Sequence, residues 1–307
     1  MQRLDGGASI PSHLADGIVA LGNFDGFHLG HQAVVARAIA WAKAEGRPAL
    51  VATFDPHPVR HFRPDTPAFR LTTLDQRERL FADAGADAMV VFHFDGDLAA
   101  LTAEQFIADR LERNLRIGGV VTGEDFTFGH AKSGTVHTLA ARGPVHGFRA
   151  ETVGAVALDG ETVSSTRIRE ALRAGDMATA TRLLTRPFAI EGVVQHGDKL
   201  GRTIGYPTAN LDMGNYLRPA YGIYAATGRL EDGRVLKGAA NLGIRPSFDP
   251  PKELLEPHFF DFAENLYGQT IEVALIDYLR PEAKFDSLDA LIAQMDIDCD
   301  RARTILG

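Results

Sequence analysis

The chain has one cysteine in 307 residues, Cys299. A lone thiol excludes an internal disulfide and makes a reducing cytoplasm the expected compartment. No apolar run reaches the roughly 18 residues of a membrane-crossing helix. Met1-Gln2-Arg3-Leu4-Asp5 is not the head of a signal peptide, so neither a membrane nor export is expected. Positive charge is in deficit. Lys and Arg number 32 against 40 Asp and Glu, a net charge of −8, which argues against a surface that coats nucleic acid and leaves only local basic pockets for phosphates. Low-complexity tracts and internal repeats are absent as well. What remains is ordinary globular composition in a chain long enough for about two domains, each with its own core.

The stretch that organises the chain is Gly22-Asn23-Phe24-Asp25-Gly26-Phe27-His28-Leu29-Gly30-His31. Before it, Gly17 to Leu21 reads as a short buried strand. After it, Val34, Val35, Ala38, Ile39 and Ala42 recur at helical spacing, which predicts a helix over Gln32 to Glu45 stopped by Gly46. Pro48 to Phe54 then starts a second apolar strand. Glycines and histidines thus fall where a β-α-β unit hands strand to helix, the place where open parallel sheets bind anions. His28 and His31 are three apart, so both rings can share one face of the first helical turn. Two imidazole donors suit a phosphorus centre that gains negative charge in its transition state. Capping or surface histidines, or half a metal site, are the alternatives; Gly22, Asp25, Gly26 and Gly30 on the same turn favour a nucleotide.

G-N-F-D-G-F-H-L-G-H resembles the H-x-G-H signature of nucleotidylyltransferases, in the form carried by the FMN adenylyltransferase half of bifunctional riboflavin kinase/FAD synthetases. The resemblance makes Gly22, Asn23, Phe24, Asp25 and Gly26 nucleotide-binding and His28 and His31 catalytic. Thr53-Phe54-Asp55-Pro56-His57-Pro58 is by itself a rigid turn after a strand. The family carries T-F-x-P-H-P there, which assigns Phe54 and His57 to the flavin. A metal site built from His57, His61, His28 and His31 is disfavoured, because no carboxylate or thiol at ligand spacing completes it. Thr73-Leu74-Asp75-Gln76 and Thr102-Ala103-Glu104-Gln105 read as capping boxes, with strands at Ala88 to Phe92 and Gly119 to Thr122. The alternation predicts a doubly wound parallel sheet. Gly123-Glu124-Asp125-Phe126-Thr127-Phe128-Gly129 reads either as a turn with core phenylalanines or as a stacking site for a planar ring. The family's G-x-[ND]-F-x-F-G implies that Asp125, Phe126 and Phe128 hold the isoalloxazine. Ser164, Ser165, Thr166 and Arg169 open a helix as an N-cap or as an anion cradle. They match the family's S-S-T-x-x-R, which holds nucleotide phosphates. Many relatives carry a basic residue where this chain has Thr162, which shifts weight onto Arg167, Arg169 or Lys132.

At Arg186-Pro187 the pattern changes. Phe188 to Gln195, Gly222 to Leu230, Val235 to Leu242, Leu254 to Phe262 and Thr270 to Tyr278 read as successive strands, with Glu231-Asp232-Gly233 as a hairpin turn and one helix after Ser287. Gly197-Asp198-Lys199-Leu200-Gly201-Arg202-Thr203-Ile204-Gly205-Tyr206-Pro207-Thr208-Ala209-Asn210 lacks Walker spacing but is a glycine-rich basic loop able to wrap polyphosphate. It resembles the riboflavin kinase signature, which makes Gly197, Lys199, Gly201, Arg202, Gly205 and Pro207 nucleotide-binding. Thr208 and Asn210 are hard ligands suited to Mg²⁺. Asn241-Leu242-Gly243-Ile244-Arg245-Pro246-Ser247 and Leu255-Glu256-Pro257-His258 match further kinase motifs, with Glu256 as general base for a flavin hydroxyl. Pro257 lacks a ladder N–H and is expected at an edge or bulge.

The expected fold is therefore α/β: a doubly wound Rossmann-like nucleotidylyltransferase domain over 1–186, then an antiparallel β-barrel with a terminal helix over 187–307. The expected function is two-step FAD synthesis from riboflavin, with ATP, riboflavin and FMN as substrates, Mg²⁺ as cofactor, and neither nucleic acid nor membrane as partner. Another nucleotidylyltransferase with a regulatory flavin-binding barrel, or a non-catalytic flavin carrier, are the alternatives.

Overall fold

The computed structural model describes residues 1–196, 204–245 and 252–307, with the backbone alone described for Arg245 and Lys252. Two compact units result, 1–67 with 73–164, and 68–72 with 165–307.

The first unit runs β1 (Gln2–Asp5), β2 (Ile18–Leu21), α1 (Leu29–Glu45), β3 (Ala49–Asp55), α2 (Pro58–Phe62), α3 (Leu74–Asp83), β4 (Ala88–His93), α4 (Gly96–Ala100) and α5 (Ala103–Gln105), which continues as a π-helical stretch over Phe106–Asn114. It closes with β5 (Gly119–Gly123), β6 (Thr127–Phe128), β7 (Gly134–Thr135), α6 (Val136–Arg142), β8 (Arg149–Val153), β9 (Ala157–Leu158) and β10 (Glu161–Thr162). Six strands form one parallel sheet in the order β1-β4-β3-β2-β5-β8. All four residues of β2 are buried, because helices cover both faces of a parallel sheet. Val34, Val35, Ala38 and Phe81 cover one face; Phe106, Ile107, Leu111 and Leu139 cover the other. From β2 the chain winds outward to β3 and β4, whereas β5 and β8 build in the opposite direction. The switch point lies between β2 and β5.

Both capping boxes form as the sequence predicts: Thr73 Oγ1 accepts from Gln76 N–H at 3.1 Å, and Thr102 Oγ1 from Gln105 N–H at 3.2 Å. The edge strands β1 and β8 had no counterpart among the expected elements. Their residues are exposed or half-buried and mostly polar, so a neighbour's backbone, not side-chain periodicity, defines them.

The second unit contains α7 (Ser165–Ala174), α8 (Met177–Leu184), β11 (Phe188–Val193), β12 (Leu211–Asp212), β13 (Gly222–Arg229), β14 (Val235–Arg245), β15 (Lys252–Phe259), β16 (Thr270–Arg280) and α9 (Leu288–Leu306). The strands are antiparallel in the order β11-β16-β13-β14-β15-β12. A bond from Gln195 N–H to Asn210 O at 2.8 Å nearly closes the barrel between its first and last strands. α9 packs Ala302 against Ala225, Ala239, Phe260 and Leu279. A buried carboxylate anchors it: Arg280 Nη2 donates to Asp298 Oδ2 at 2.7 Å and Gln294 Nε2 to Asp298 Oδ1 at 3.1 Å. Pro257 sits inside β15 opposite Ala240. Its carbonyl accepts from Ala209 N–H at 2.9 Å, so the side of the residue that lacks a donor faces the segment before the two-residue β12. The proline occupies what is in effect an edge.

The change from helices to strands falls at Pro187, but the compact second unit begins at Ser165. Leu172, Leu183 and Leu184 are buried, Ala220 N–H donates to Leu172 O at 2.9 Å, and α8 lies on β11 and β16. Burying a leucine side chain stabilises by about 1.5–3 kcal/mol. A fragment of residues 165–307 should therefore unfold at a clearly higher urea midpoint than one of residues 187–307; equal midpoints would remove α7 and α8 from the folding unit.

A second prediction concerns His146, in the 3₁₀ turn after α6. Its Nδ1 lies 2.6 Å from Glu112 Oε2 and its Nε2 lies 3.0 Å from Glu104 Oε1. The bond to Glu112, with help from Glu104, raises the imidazole pKa against partial desolvation. A histidine raised on folding stabilises fully below its ordinary value of about 6.5, and that contribution disappears as pH rises through the folded value. Urea midpoints of the parent and of His146→Gln should differ most at mildly acidic pH and converge under alkaline conditions.

Candidate active sites

The turn between β2 and α1 is held by aromatic packing. Phe24 and Phe27 adopt left-handed backbone angles, φ 49° and 43°, and Gly26 has φ 87°. A left-handed non-glycine residue costs about 1–2 kcal/mol. Burying each phenylalanine stabilises by about 1.5–3 kcal/mol, enough to hold both. Phe81 of α3, fully buried, makes T-shaped contacts with both rings, at centroid distances of 5.8 Å for Phe24 and 5.1 Å for Phe27.

On this platform His28 caps α1. Its Nδ1 accepts from His31 N–H at 3.4 Å and therefore carries no proton, which leaves Nε2–H as the ring's donor. The helix starts at Leu29 instead of Gln32, so the capping alternative and the paired-ring expectation both describe His28. The rings of His28 and His31 stack with centroids 3.6 Å apart and planes 19° apart. Gly30 makes room for the His28 ring, since a Cβ there would lie 3.2 Å from His28 Cε1, and the Val163 carbonyl lies close by, 3.6 Å from the same point. The end of the first unit, Val163-Ser164, thus comes alongside the histidine turn. Ser165, Thr166 and Arg169 belong to the second unit. There Arg169 Nε donates to Phe69 O at 2.9 Å, and its guanidinium lies over the Phe69 ring.

A residue absent from the sequence expectations stands behind the turn. Arg77 of α3 is 3 % exposed and donates through Nη1 to Asn23 O at 3.0 Å and to Thr53 Oγ1 at 2.7 Å. Sequence reading stopped at the capping box one residue earlier. An arginine on a helix reads as solvent-facing unless the fold buries it.

Phe54, Phe126 and Phe128, the phenylalanines expected at the flavin, belong to one continuous run of rings, Phe62-Phe94-Phe54-Phe92-Phe106-Phe128-Phe126, with neighbouring centroids 5.4–6.0 Å apart. Phe128 is buried in the core, as the alternative reading had it; Phe126 is half-buried and Asp125 exposed. Phe92, Phe94, Phe106 and Phe62, the last 65 % exposed, were not expected here. His57 caps α2, its Nδ1 accepting from Val59 N–H at 3.2 Å.

In the second unit the register gathers residues far apart in sequence. Leu211 pairs with Leu255, so one step further Asn210 comes opposite Glu256, and Glu256 pairs with Asn241 across β14. Residues directly across a sheet share a face. Asn241 Nδ2 donates to Glu256 Oε2 at 3.5 Å. Gly243, two residues on, keeps the floor clear, because a Cβ there would collide with the Glu282 carboxylate. Tyr206 hydrogen-bonds Asp296 of α9; partial burial, then that carboxylate, push the phenol up to about 12. Gly205 and Pro207 are exposed beside it. Gly197, Lys199, Gly201 and Arg202, and Ser247 of the later motif, lie outside the described residues.

Thr208 and Asn210 flank Ala209, whose N–H goes to Pro257 while Asn210 O accepts from Gln195; alternate residues of an extended segment present their side chains to one face. A hydroxyl and an amide oxygen are neutral hard donors, fit for a Mg²⁺ held mainly by phosphate and water. No cluster of three His, Cys, Asp or Glu is found among the described residues.

Two units with separate polar sites, one at the switch point of a parallel sheet and one on a barrel, define a two-part transferase that uses nucleotides. Comparison with known proteins agrees. The FAD synthetase family matches residues 10–167 and the riboflavin kinase family residues 184–306. A bifunctional riboflavin kinase/FMN adenylyltransferase of Escherichia coli (strain K12) is 39 % identical over 94 % of this chain and 93 % of its own, and one of Bacillus subtilis (strain 168) is 36 % identical over 95 % of each. The chain belongs to the family of bifunctional riboflavin kinase/FMN adenylyltransferases. A solved structure from Streptococcus pneumoniae described as a macrolide-efflux protein superimposes with a TM-score of 0.87 over 99 % of each chain at 31 % identity. Among the described residues of this chain, no helix is long and apolar enough to cross a membrane.

Phe81→Ala should expose the dependence of the turn on its aromatic support. A buried Phe→Ala change costs about 3–5 kcal/mol, read as a lowered urea midpoint of the first unit. A cost below about 1 kcal/mol would mean that Phe24 and Phe27 are held by something else.

Proposed function

We propose that the chain makes FAD in two steps, on two units. The second unit transfers the ATP γ-phosphoryl group to the terminal ribityl hydroxyl of riboflavin, giving FMN and ADP. Glu256 takes the hydroxyl proton, and Thr208 and Asn210 would hold a Mg²⁺ brought with ATP, which would supply neutralisation of phosphate charge. The glycine-rich loop from Gly197 to Pro207 wraps the phosphates. The first unit joins FMN to AMP: an FMN phosphate oxygen attacks the α-phosphorus of a second ATP, and pyrophosphate leaves. His28 and His31 donate to the charge that builds there, the Gly22–Gly26 turn and Ser164 bind the nucleotide, and Phe54, His57, Asp125, Phe126 and Phe128 receive the flavin; the resemblance also assigns Ser165, Thr166 and Arg169 to the nucleotide phosphates. The run of rings adds Phe62 and Phe94 to that set. Catalysis in both units is positioning and electrostatics, with no covalent enzyme intermediate.

The observation that carries the reading is the stacked pair of His28 and His31 at the switch point, at the start of α1. The row of Asn210, Glu256 and Asn241 supports the kinase step. The working boundary for kinase chemistry is Pro187, although α7 and α8 fold with it. The substrates are small molecules; neither nucleic acid nor membrane is a partner, and the reducing cytoplasm suits the single thiol.

The test is a time course of riboflavin with Mg²⁺-ATP, resolving FMN and FAD by chromatography. FMN should appear first and FAD after it. A flavin carrier would consume no ATP, and another nucleotidylyltransferase with a regulatory barrel would form no FMN. His28→Ala with His31→Ala should lower FAD formation at least ~10²-fold and spare FMN formation. Glu256→Gln should do the reverse, still converting supplied FMN to FAD. Either variant at parental rates would remove its residue from the mechanism.

A further inference from the structure

Arg77 is a buried cation for which the two-step mechanism has so far no role. One guanidinium ties both strand ends of the first site. Nη1 donates to Asn23 O in the turn after β2 and to Thr53 Oγ1 near the end of β3, while Nη2 lies 3.7 Å from Asp55 Oδ1. The Thr53 hydroxyl donates to the same Asn23 carbonyl at 2.8 Å. Two donors therefore fix one carbonyl.

That carbonyl belongs to the Asn23–Phe24 peptide, which is trans; the cis bond found among the described residues is Asp55–Pro56. In a trans peptide the C=O and N–H point in opposite directions. Fixing Asn23 O toward Arg77 and Thr53 turns the Phe24 N–H away from them. Among the described residues that N–H has no acceptor, although Phe24 is 2 % exposed, and Asn23 Oδ1 is a buried acceptor without a donor. Unpaired buried polar groups are rare unless something outside the chain completes them. Both belong to the residues that connect β2 to the histidine turn. A guanidinium bonded to the carbonyl also polarises the peptide and strengthens its N–H as a donor.

We infer that Arg77 is a positioning residue for adenylyl transfer: with Thr53 it orients the Asn23–Phe24 peptide so that the Phe24 N–H donates to a phosphate oxygen of the bound nucleotide. The inference rests on the adenylyltransferase reading of the first unit. Lysine keeps the charge but not the fork, so charge and geometry are separable.

The full chain is tested as Arg77→Met, Arg77→Lys and Thr53→Val, below the thermal transition of each. kcat and KM for ATP are measured in FAD formation from FMN, with FMN formation from riboflavin as the control in the same chain. Inorganic pyrophosphate is also titrated into ¹⁵N-labelled protein while the Phe24 amide is followed. Arg77→Met should lower kcat/KM for ATP by roughly 10–100-fold, as loss of a preorganised donor does. Arg77→Lys should recover part of it, Thr53→Val should lose less, and FMN formation should stay at the parental rate. The Phe24 amide proton should move downfield with pyrophosphate in the parent and much less in Arg77→Met. Parental kcat/KM in Arg77→Met, or a loss that only follows the unfolded fraction, would make Arg77 merely structural and overturn the inference. If the parent makes no FAD, the adenylyltransferase reading fails, and the pyrophosphate titration still decides whether the Phe24 amide meets an anion. If Arg77→Met does not fold, phenyllactic acid at position 24, which replaces the N–H with oxygen, decides: a tenfold loss supports the inference and parental activity overturns it.

Discussion

Two phenylalanines in left-handed conformations, in T-shaped contact with Phe81, are the constraint on which the first unit depends. The chain leaves a fully buried strand and must turn at once into α1 with two histidines on its first turn. A polar turn would do this at lower backbone cost, but nothing would hold it in one shape. Here hydrophobic burial under α3 outweighs the unfavourable angles of Phe24 and Phe27. The consequence is a packed turn where the sheet changes direction, on which the rings of His28 and His31 stack. Preorganisation of this kind is what charge stabilisation at phosphorus requires, because donors that must reorganise during the reaction lose most of their value.

The second unit solves the same problem with register. Its polar residues come from three separate segments, around 208–210, 241 and 256, and no helix terminus gathers them. Antiparallel pairing does, since one step along the ladder moves a side chain to the other face. Pro257 fits because its missing donor faces the gap before β12, where the barrel has no full ladder to break. α9 fixes the outer face through Asp298, and Tyr206 joins the glycine-rich segment to the same helix through Asp296. Tyr206 and the strand pairing of Glu256 with Asn241 thus flank the groups assigned to phosphoryl transfer.

The two units differ in how they place charge. The first buries a cation, Arg77, behind a backbone carbonyl, where its field acts through the peptide. The second keeps a carboxylate, Glu256, half-buried beside an amide that can only donate to it. Adenylyl transfer needs positive potential at the nucleotide, and phosphoryl transfer to a hydroxyl needs a proton acceptor; each unit holds the corresponding sign of charge beside the residues proposed for its step.

The alternation of apolar strand and amphipathic helix, the two capping boxes and the change of pattern at Pro187 were legible in the residues, because local periodicity and capping depend on near neighbours alone. So were the histidine turn and the kinase motifs, whose spacing is itself local. The edge strands β1 and β8 were not, since a half-exposed strand carries little side-chain signal and exists only beside its partner. The burial of Arg77, the placing of Phe128 in the core, the exposure of Phe62, and the meeting of Asn210, Glu256 and Asn241 were decided by tertiary structure. Each depends on which distant segment packs opposite, and a solvent-facing arginine and a buried one have the same local sequence until the sheet that covers it is in place.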